Sequence, residues 1–152
     1  MPGYLNRPEA TREAIWIDEG GRQWLRSGDI GRLDDQGYLY IVDRKKDMIL
    51  SGGQNIYPQD IEAVLIKHPS VNEVAVIGAN SRRWGETPVA FVVPEHDGQD
   101  SDPRQIKEWC NERVGKQQRI VDLVFIEQLP RNPNGKILKR ELREQYGVRS
   151  YD

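Results

Sequence analysis

Cysteine is almost absent. Cys110 is the single thiol among 152 residues, which excludes an internal disulfide and a thiolate zinc site. No apolar run approaches the roughly 18–20 residues that a membrane-spanning helix needs. Neither sign of charge dominates, since 22 Lys and Arg stand against 24 Asp and Glu, for a formal net charge of −2. A dedicated nucleic-acid binder would carry a strongly basic face, so that class is set aside. Met1-Pro2-Gly3-Tyr4 has no basic, apolar and small-residue succession, and no signal peptide is expected. Repeats and low-complexity stretches are also lacking. What is present, 37% hydrophobic and 30% charged residues with 14 Gly, is the composition of a soluble, cytoplasmic, mixed α/β protein. The length allows one domain, or one domain with a piece of another.

The chain changes character along its length. Residues 1–43 carry five Arg (7, 12, 22, 26 and 32) against eight acidic residues. Gly20-Gly21 and Asp34-Asp35-Gln36-Gly37 are turn chemistry. Gln23-Trp24-Leu25-Arg26 and Tyr38-Leu39-Tyr40-Ile41-Val42 read as strands. So few strands cannot close a core, and they must lean on the rest of the chain or on a partner. From Ile56 onward the periodicity is helical and then extended. Pro58 suits a first helical turn, with Ile61, Val64 and Leu65 forming a stripe that ends near His68-Pro69. His68 at that end is expected to interact with the helix dipole. Val71 to Ile77 and Pro88 to Val93 read as strands. Asp102-Pro103 opens a helix with Ile106, Trp109, Cys110 and Val114 on one face. Val121 to Ile126 is a further strand, and Leu138, Leu142 and Tyr146 mark a last helix ending near Gly147. The order implies an α+β fold, a small sheet flanked by helices. The domain joint is expected at Val42-Asp43-Arg44-Lys45-Lys46.

Four features can carry chemistry, and each has an ordinary structural reading that is the commoner one by spacing alone. Asp29, after Ser27-Gly28, is placed as a ribose-binding carboxylate would be, or as a turn aspartate. Asp43-Arg44-Lys45-Lys46-Asp47 is a charge run. Ser51-Gly52-Gly53-Gln54-Asn55 offers bare backbone N–H groups to a ligand, or simply a tight turn. No Lys-Ser/Thr follows it, so it is not a GxxxxGK[ST] phosphate loop. Asn132-Pro133-Asn134-Gly135-Lys136 puts a lysine on a flexible glycine turn, a mobile cation able to meet developing phosphate charge. Trp84 lies in a polar loop beside Arg82 and Arg83, where an exposed indole can stack a base. Cys110 falls on an apolar helix stripe and reads as a core thiol. Residues 131–149 hold six basic and two acidic side chains, which on an amphipathic helix is a solvated face.

These features occur in one order. Gly3 to Thr11, Trp24 to Asp29, Asp43 to Glu62, Val74 to Gly78, Trp84-Gly85-Glu86 and Pro130 to Leu142 together resemble the C-terminal portion of the adenylate-forming enzymes. That family comprises acyl-CoA synthetases, aryl-CoA ligases, luciferases and peptide-synthetase adenylation domains. The resemblance reaches about residue 146. It implies a reaction in which a carboxylic acid and Mg-ATP give an acyl-adenylate and pyrophosphate. The C-terminal domain then rotates, and a thiol displaces AMP. It further implies that Asp29 binds the ribose, that Arg44 is its partner at the nucleotide, and that Lys46 is the hinge. Lys136 would be the catalytic lysine bridging carboxylate and phosphate. Gly52 and Gly53 would line the pantetheine tunnel, Trp84 would stack on the CoA adenine, and Arg119 would meet the CoA phosphates. The Ser51 to Pro58 wording is closest to acyl- and aryl-CoA ligases, which makes CoA the expected acceptor.

The family's large N-terminal domain, with its phosphate loop and acyl pocket, has no counterpart in this sequence. Residues 1–43 resemble its strand-rich end, and residues 44–152 the C-terminal lid. ATP and CoA are therefore the implied ligands, with Mg²⁺ held by the missing domain and the acid unspecified. No nucleic-acid partner or membrane span is expected. The lid is expected to fold from about Arg44, whereas residues 1–43 are expected to be partly disordered or to self-associate. The chain alone is expected to be inactive as a ligase. The alternative is a free-standing module that binds CoA or a nucleotide, or regulates a partner, without catalysis.

Overall fold

Val74-Ala75-Val76-Ile77 and Val89-Ala90-Phe91-Val92 are unbroken apolar runs, the pattern of strands covered on both faces. The computed structural model describes residues 3–95, 102–147 and 149–151; Met1 and Pro2 lie outside them. Its contacts divide the chain into two units, residues 1–46 and 47–152.

The first unit holds helix α1 (Pro8–Ala14) and two antiparallel hairpins, β1 (Ile15–Ile17) with β2 (Gln23–Leu25), and β3 (Asp29–Leu33) with β4 (Leu39–Arg44). Aspartate side chains build both turns. Asp18 accepts the Gly20 and Arg22 amides and the Trp24 indole N–H, and Asp34 accepts the Gln36 and Tyr38 amides. These hydrogen bonds favour the ionised carboxylates and hold both below the usual aspartate pKa. Among its described residues the unit buries no apolar side chain, and Trp16, Trp24, Leu33, Leu39 and Ile41 stay exposed.

The second unit is a five-stranded sheet between helices. The hairpin β5 (Ile49–Ser51) and β6 (Gln54–Ile56) precedes helix α2 (Pro58–Leu65). Two long antiparallel strands follow, β7 (Val71–Ser81) and β8 (Gly85–Pro94). Helix α3 (Pro103–Asn111) leads through a 3-10 turn at Lys116–Gln118 to β9 (Asp122–Phe125), which lies parallel to β8. Helix α4 (Lys139–Tyr146) closes the chain. Pro58 and Pro103 each open a helix, and Asp102 caps α3 by accepting the Arg104 amide.

Period-two alternation sorts the strand residues onto two cores. Val74, Val76, Ala90 and Val92 pack with Ile61 and Leu65 of α2 and Ile106 and Cys110 of α3. Ala75, Ile77, Val89 and Phe91 pack with Leu129 and Leu142. The fold is thus α+β, with helices on both faces of one small sheet. Burial pushes the Cys110 thiol up to about 11, as a core cysteine requires. His68 departs from the dipole expectation. Its Nδ1 accepts the Ser70 amide at 3.2 Å, its ring meets Trp109 edge-on at 5.0 Å, and burial, then Arg113, lowers its pKa. A neutral imidazole gains nothing from charge–dipole attraction.

Candidate functional site

In the first unit, antiparallel register sets Asp29 opposite Arg44, fifteen positions later. Arg44 Nε lies 3.5 Å from Asp29 Oδ1 with both side chains partly in solvent. The Lys45 amide donates to the Gly28 carbonyl, tying the end of β4 to the turn before β3. Ser27, Gly28, Arg44, Lys45 and Lys46 line a cleft of about 620 Å³, three of these five residues being cationic. Such a lining suits an anion. Lys46 is the last residue of this unit.

In the second unit, Gly52 and Gly53 form the two-residue turn between β5 and β6, with φ of 56° and 80°. Positive φ at both central positions is the type I′ geometry whose twist matches a hairpin. This hairpin is absent from the sequence reading, because three-residue strands leave no readable alternation. The turn packs on the next hairpin: the Gly52 amide donates to the Trp84 carbonyl at 2.8 Å, and Ser51 pairs with Gly85. A Cβ on Gly52 would lie 2.8 Å from Trp84 Cε3, so the indole rests directly on the glycine. Glu86 reinforces the corner by accepting the Leu50 amide at 2.8 Å. Trp84 nevertheless remains 45% exposed, with the Arg83 guanidinium 4.7 Å from its ring centre. Ser81, Arg83, Trp84, Val121 and Tyr151 line a cleft of about 260 Å³. Arg119 is exposed two residues before Val121.

The Lys136 turn differs from the sequence reading in one respect. Its backbone is pinned: the Lys136 amide donates to Asn132 Oδ1 at 2.9 Å, and its carbonyl accepts the Asn132 amide at 2.9 Å. Lys136 itself is exposed. An asparagine side chain folding back on its own turn supplies the rigidity that the glycine suggested was missing. Nothing in the spacing marks Arg131, whose guanidinium reaches both the Gly135 carbonyl and Glu73 at the start of β7.

This anchoring places Lys136 at the Glu73 end of β7, whereas Gly52 and Trp84 sit at the Ser81–Gly85 end. Eight residue steps at roughly 3.3 Å each separate Glu73 from Ser81, about 26 Å. The structure therefore brings Gly52, Gly53 and Trp84 together, pairs Asp29 with Arg44, and holds Lys136 far from the glycine turn. Among the described residues, no group of three His, Cys, Asp or Glu side chains is arranged to hold a metal ion. No helix among them is long and apolar enough to cross a membrane.

Residues 60–136, just over half of the chain, match the family described as the AMP-binding enzyme C-terminal domain. The chain belongs to this family. The match contains Trp84, Arg119 and Lys136. Similarity to individual proteins extends further toward both ends. The chain is 53% identical over 145 residues to the long-chain-fatty-acid–CoA ligase FadD13 of Mycobacterium tuberculosis, covering 95% of this chain and 27% of that ligase. It is 45% identical over 142 residues to the 2-succinylbenzoate–CoA ligase of Bacillus cereus, covering 93% of this chain and 28% of the relative. Among solved structures, the o-succinylbenzoate CoA synthetase of Bacillus subtilis, in complex with the acyl-adenylate intermediate, aligns with a TM-score of 0.80 at 37% identity. That alignment covers 94% of this chain and 28% of the synthetase. The chain thus spans little more than a quarter of the proteins it matches.

Proposed function

We propose that this chain is the C-terminal part of an ATP-dependent acyl-CoA ligase: the lid domain, preceded in residues 1–43 by the strand-rich end of the large domain. In the first half-reaction a carboxylate oxygen attacks the α-phosphorus of ATP, pyrophosphate leaves, and an acyl-adenylate remains. The Lys136 ammonium neutralises the charge gathering between carboxylate and phosphate. Asp29 accepts hydrogen bonds from the ribose hydroxyls, and Arg44 holds that carboxylate while adding positive charge near the nucleotide. In the second half-reaction the CoA sulfur bonds to the acyl carbon and AMP departs. Gly52 and Gly53 let the backbone approach the pantetheine arm, Trp84 stacks on the adenine, and Arg119 meets the phosphates. Mg²⁺ would be held by groups outside the described residues. The chain alone is not competent for this chemistry.

The observation that carries this reading is the separation of Lys136 from the Gly52–Trp84 corner along one rigid hairpin. A body about 26 Å long cannot present both ends to one reacting carbon, so the two half-reactions require two orientations. Lys46, the last residue of the first unit, would serve as the hinge between them.

The test uses the full-length polypeptide, with acetate, octanoate, palmitate and benzoate as acids. Lys136→Ala should lower pyrophosphate exchange by about 10²–10³-fold while sparing thioester formation from supplied acyl-adenylate. Trp84→Ala should do the reverse, raising the KM for CoA about ten-fold. Equal loss of both steps in either variant removes the assigned role. The exposed Trp84–Arg83 pair on its cleft favours a second reading, a CoA- or nucleotide-binding module without catalysis. The mass of the polypeptide in its source cells separates the two. A product several-fold longer than 152 residues supports the ligase, whereas one of this length, with CoA quenching of Trp fluorescence, supports the module.

A further inference from the structure

The Lys136 ammonium sits at the end of four methylenes, so the point it reaches depends on how its backbone is held. Three sets of contacts hold it. Asn132 Oδ1 accepts two amides, from Asn134 at 3.0 Å and from Lys136 at 2.9 Å. The Asn132 amide donates to the Lys136 carbonyl and the Gly135 amide to the Asn132 carbonyl, both at 2.9 Å. Arg131 grips the turn from outside, its Nη1 donating to the Gly135 carbonyl at 2.6 Å. That carbonyl belongs to the peptide plane whose nitrogen is that of Lys136. Gly135, at φ 79°, allows the plane to face Arg131. The other arm of the guanidinium reaches Glu73 Oε2 at 2.8 Å, fastening the turn to β7.

These contacts do little for folding. Arg131 and Glu73 keep 40% and 36% side-chain exposure, and pairs so open to water contribute little stability. Their geometric effect is larger, since displacement of a reacting group by 1 Å costs about 10²-fold in rate. We propose that Asn132, Arg131 and Glu73 are positioning residues for Lys136. Asn132 fixes the shape of the turn, and the Arg131–Glu73 clamp fixes the turn to the sheet, so that lid rotation delivers the ammonium to one point. This rests on the assignment of Lys136 made above.

The experiment uses the full-length enzyme and whichever acid of the four gives the fastest pyrophosphate exchange, with Lys136→Ala as reference. Asn132→Ala should lower the kcat of exchange by about 10²-fold at unchanged KM for ATP. Asn132→Thr, whose hydroxyl can accept the same amide, should recover to within about ten-fold of wild type. Arg131→Gln and Glu73→Ala should each cost about ten-fold, and the double variant no more than either alone, because they share one clamp. Thioester formation from supplied acyl-adenylate should stay within about two-fold throughout, as intact folding requires. Hydrogen exchange at the Lys136 amide should accelerate in Asn132→Ala, a readout independent of turnover. Full exchange activity in Asn132→Ala or Arg131→Gln, beside a disabled Lys136→Ala, overturns the proposal. So does equal loss of both half-reactions, or an Asn132→Thr no better than Asn132→Ala. A Lys136→Ala enzyme with undiminished exchange instead removes the role of Lys136 itself, and the positioning proposal with it.

Discussion

At Gly52 a methyl group would meet two obstacles, one in the backbone and one in space. The φ of 56° is a left-handed conformation, and the added carbon would sit 2.8 Å from the Trp84 ring. Gly53 shares the first obstacle, at φ 80°, but nothing lies within 4 Å of its Cβ direction. Gly53→Ala should therefore cost about 1 kcal/mol of unfolding free energy, the backbone penalty alone. Gly52→Ala should cost about 2–3 kcal/mol and shift Trp84 fluorescence as the indole is displaced. Urea titrations of the two variants give the comparison; equal costs would mean the Trp84 contact carries no weight. Sequence spacing exposes both glycines but not their difference. That difference arises from a ring thirty-two positions away.

Glu62 holds three elements of the second unit at one point. Its Oε1 accepts the Val76 amide on the outer side of β7 and meets Lys139 Nζ at the start of α4, each at 2.7 Å. β7 ends the sheet, so this carboxylate also satisfies an amide that would otherwise face outward from an edge strand. The Glu62 and Lys139 side chains are only 19% and 14% exposed. Glu62→Ala should destabilise the second unit by about 2–3 kcal/mol, leaving both the ammonium and the amide unsatisfied. Glu62→Gln, which keeps an acceptor for Val76, should cost about half as much. Chemical denaturation of the pair tests this, and equal losses would place the effect in packing rather than charge. The helix stripe Ile61, Val64, Leu65 is legible in the sequence, whereas the burial of Glu62 beside it is not. A charged residue off the apolar stripe reads as solvent-facing until the partner that neutralises it is known.

At the scale of the whole molecule, the described apolar core lies entirely within residues 49–151. Residues 47–152 alone should unfold in one cooperative transition, whereas residues 1–46 alone should show none. Calorimetry on the two pieces checks this; a cooperative transition in the short piece would contradict it. Trp16, Trp24, Leu33, Leu39 and Ile41 are exposed in that short piece, which leaves it no apolar core of its own. The stability of the second unit should also depend on pH through His68. Burial, then the Arg113 charge, holds its folded pKa below the usual histidine value of about 6.5, so the unfolded chain takes up the proton first as pH falls. Stability is full above about pH 6.5 and declines below it toward the folded pKa. Urea midpoints at pH 7.5 and 5.5 should differ, and His68→Gln should reduce the difference; an unchanged difference would assign the dependence to other groups.

The order of motifs from Gly3 to Leu142 is a property of the sequence alone, and so are the helix starts at Pro58 and Asp102 and the paired apolar strands. Each depends on residue type at fixed short spacing, which the backbone reads locally. Three features required the folded molecule: the pairing of Asp29 with Arg44, the seating of Trp84 on Gly52, and the separation of that corner from Lys136. They follow from strand register and strand length, which turn geometry and cross-strand pairing set only when the chain folds. The rigidity of the Lys136 turn belongs with them. A run such as Asn-Pro-Asn-Gly-Lys permits both a loose turn and a pinned one; in the folded molecule Asn132 Oδ1 pins its shape, and Arg131, anchored on Glu73, grips Gly135 from outside.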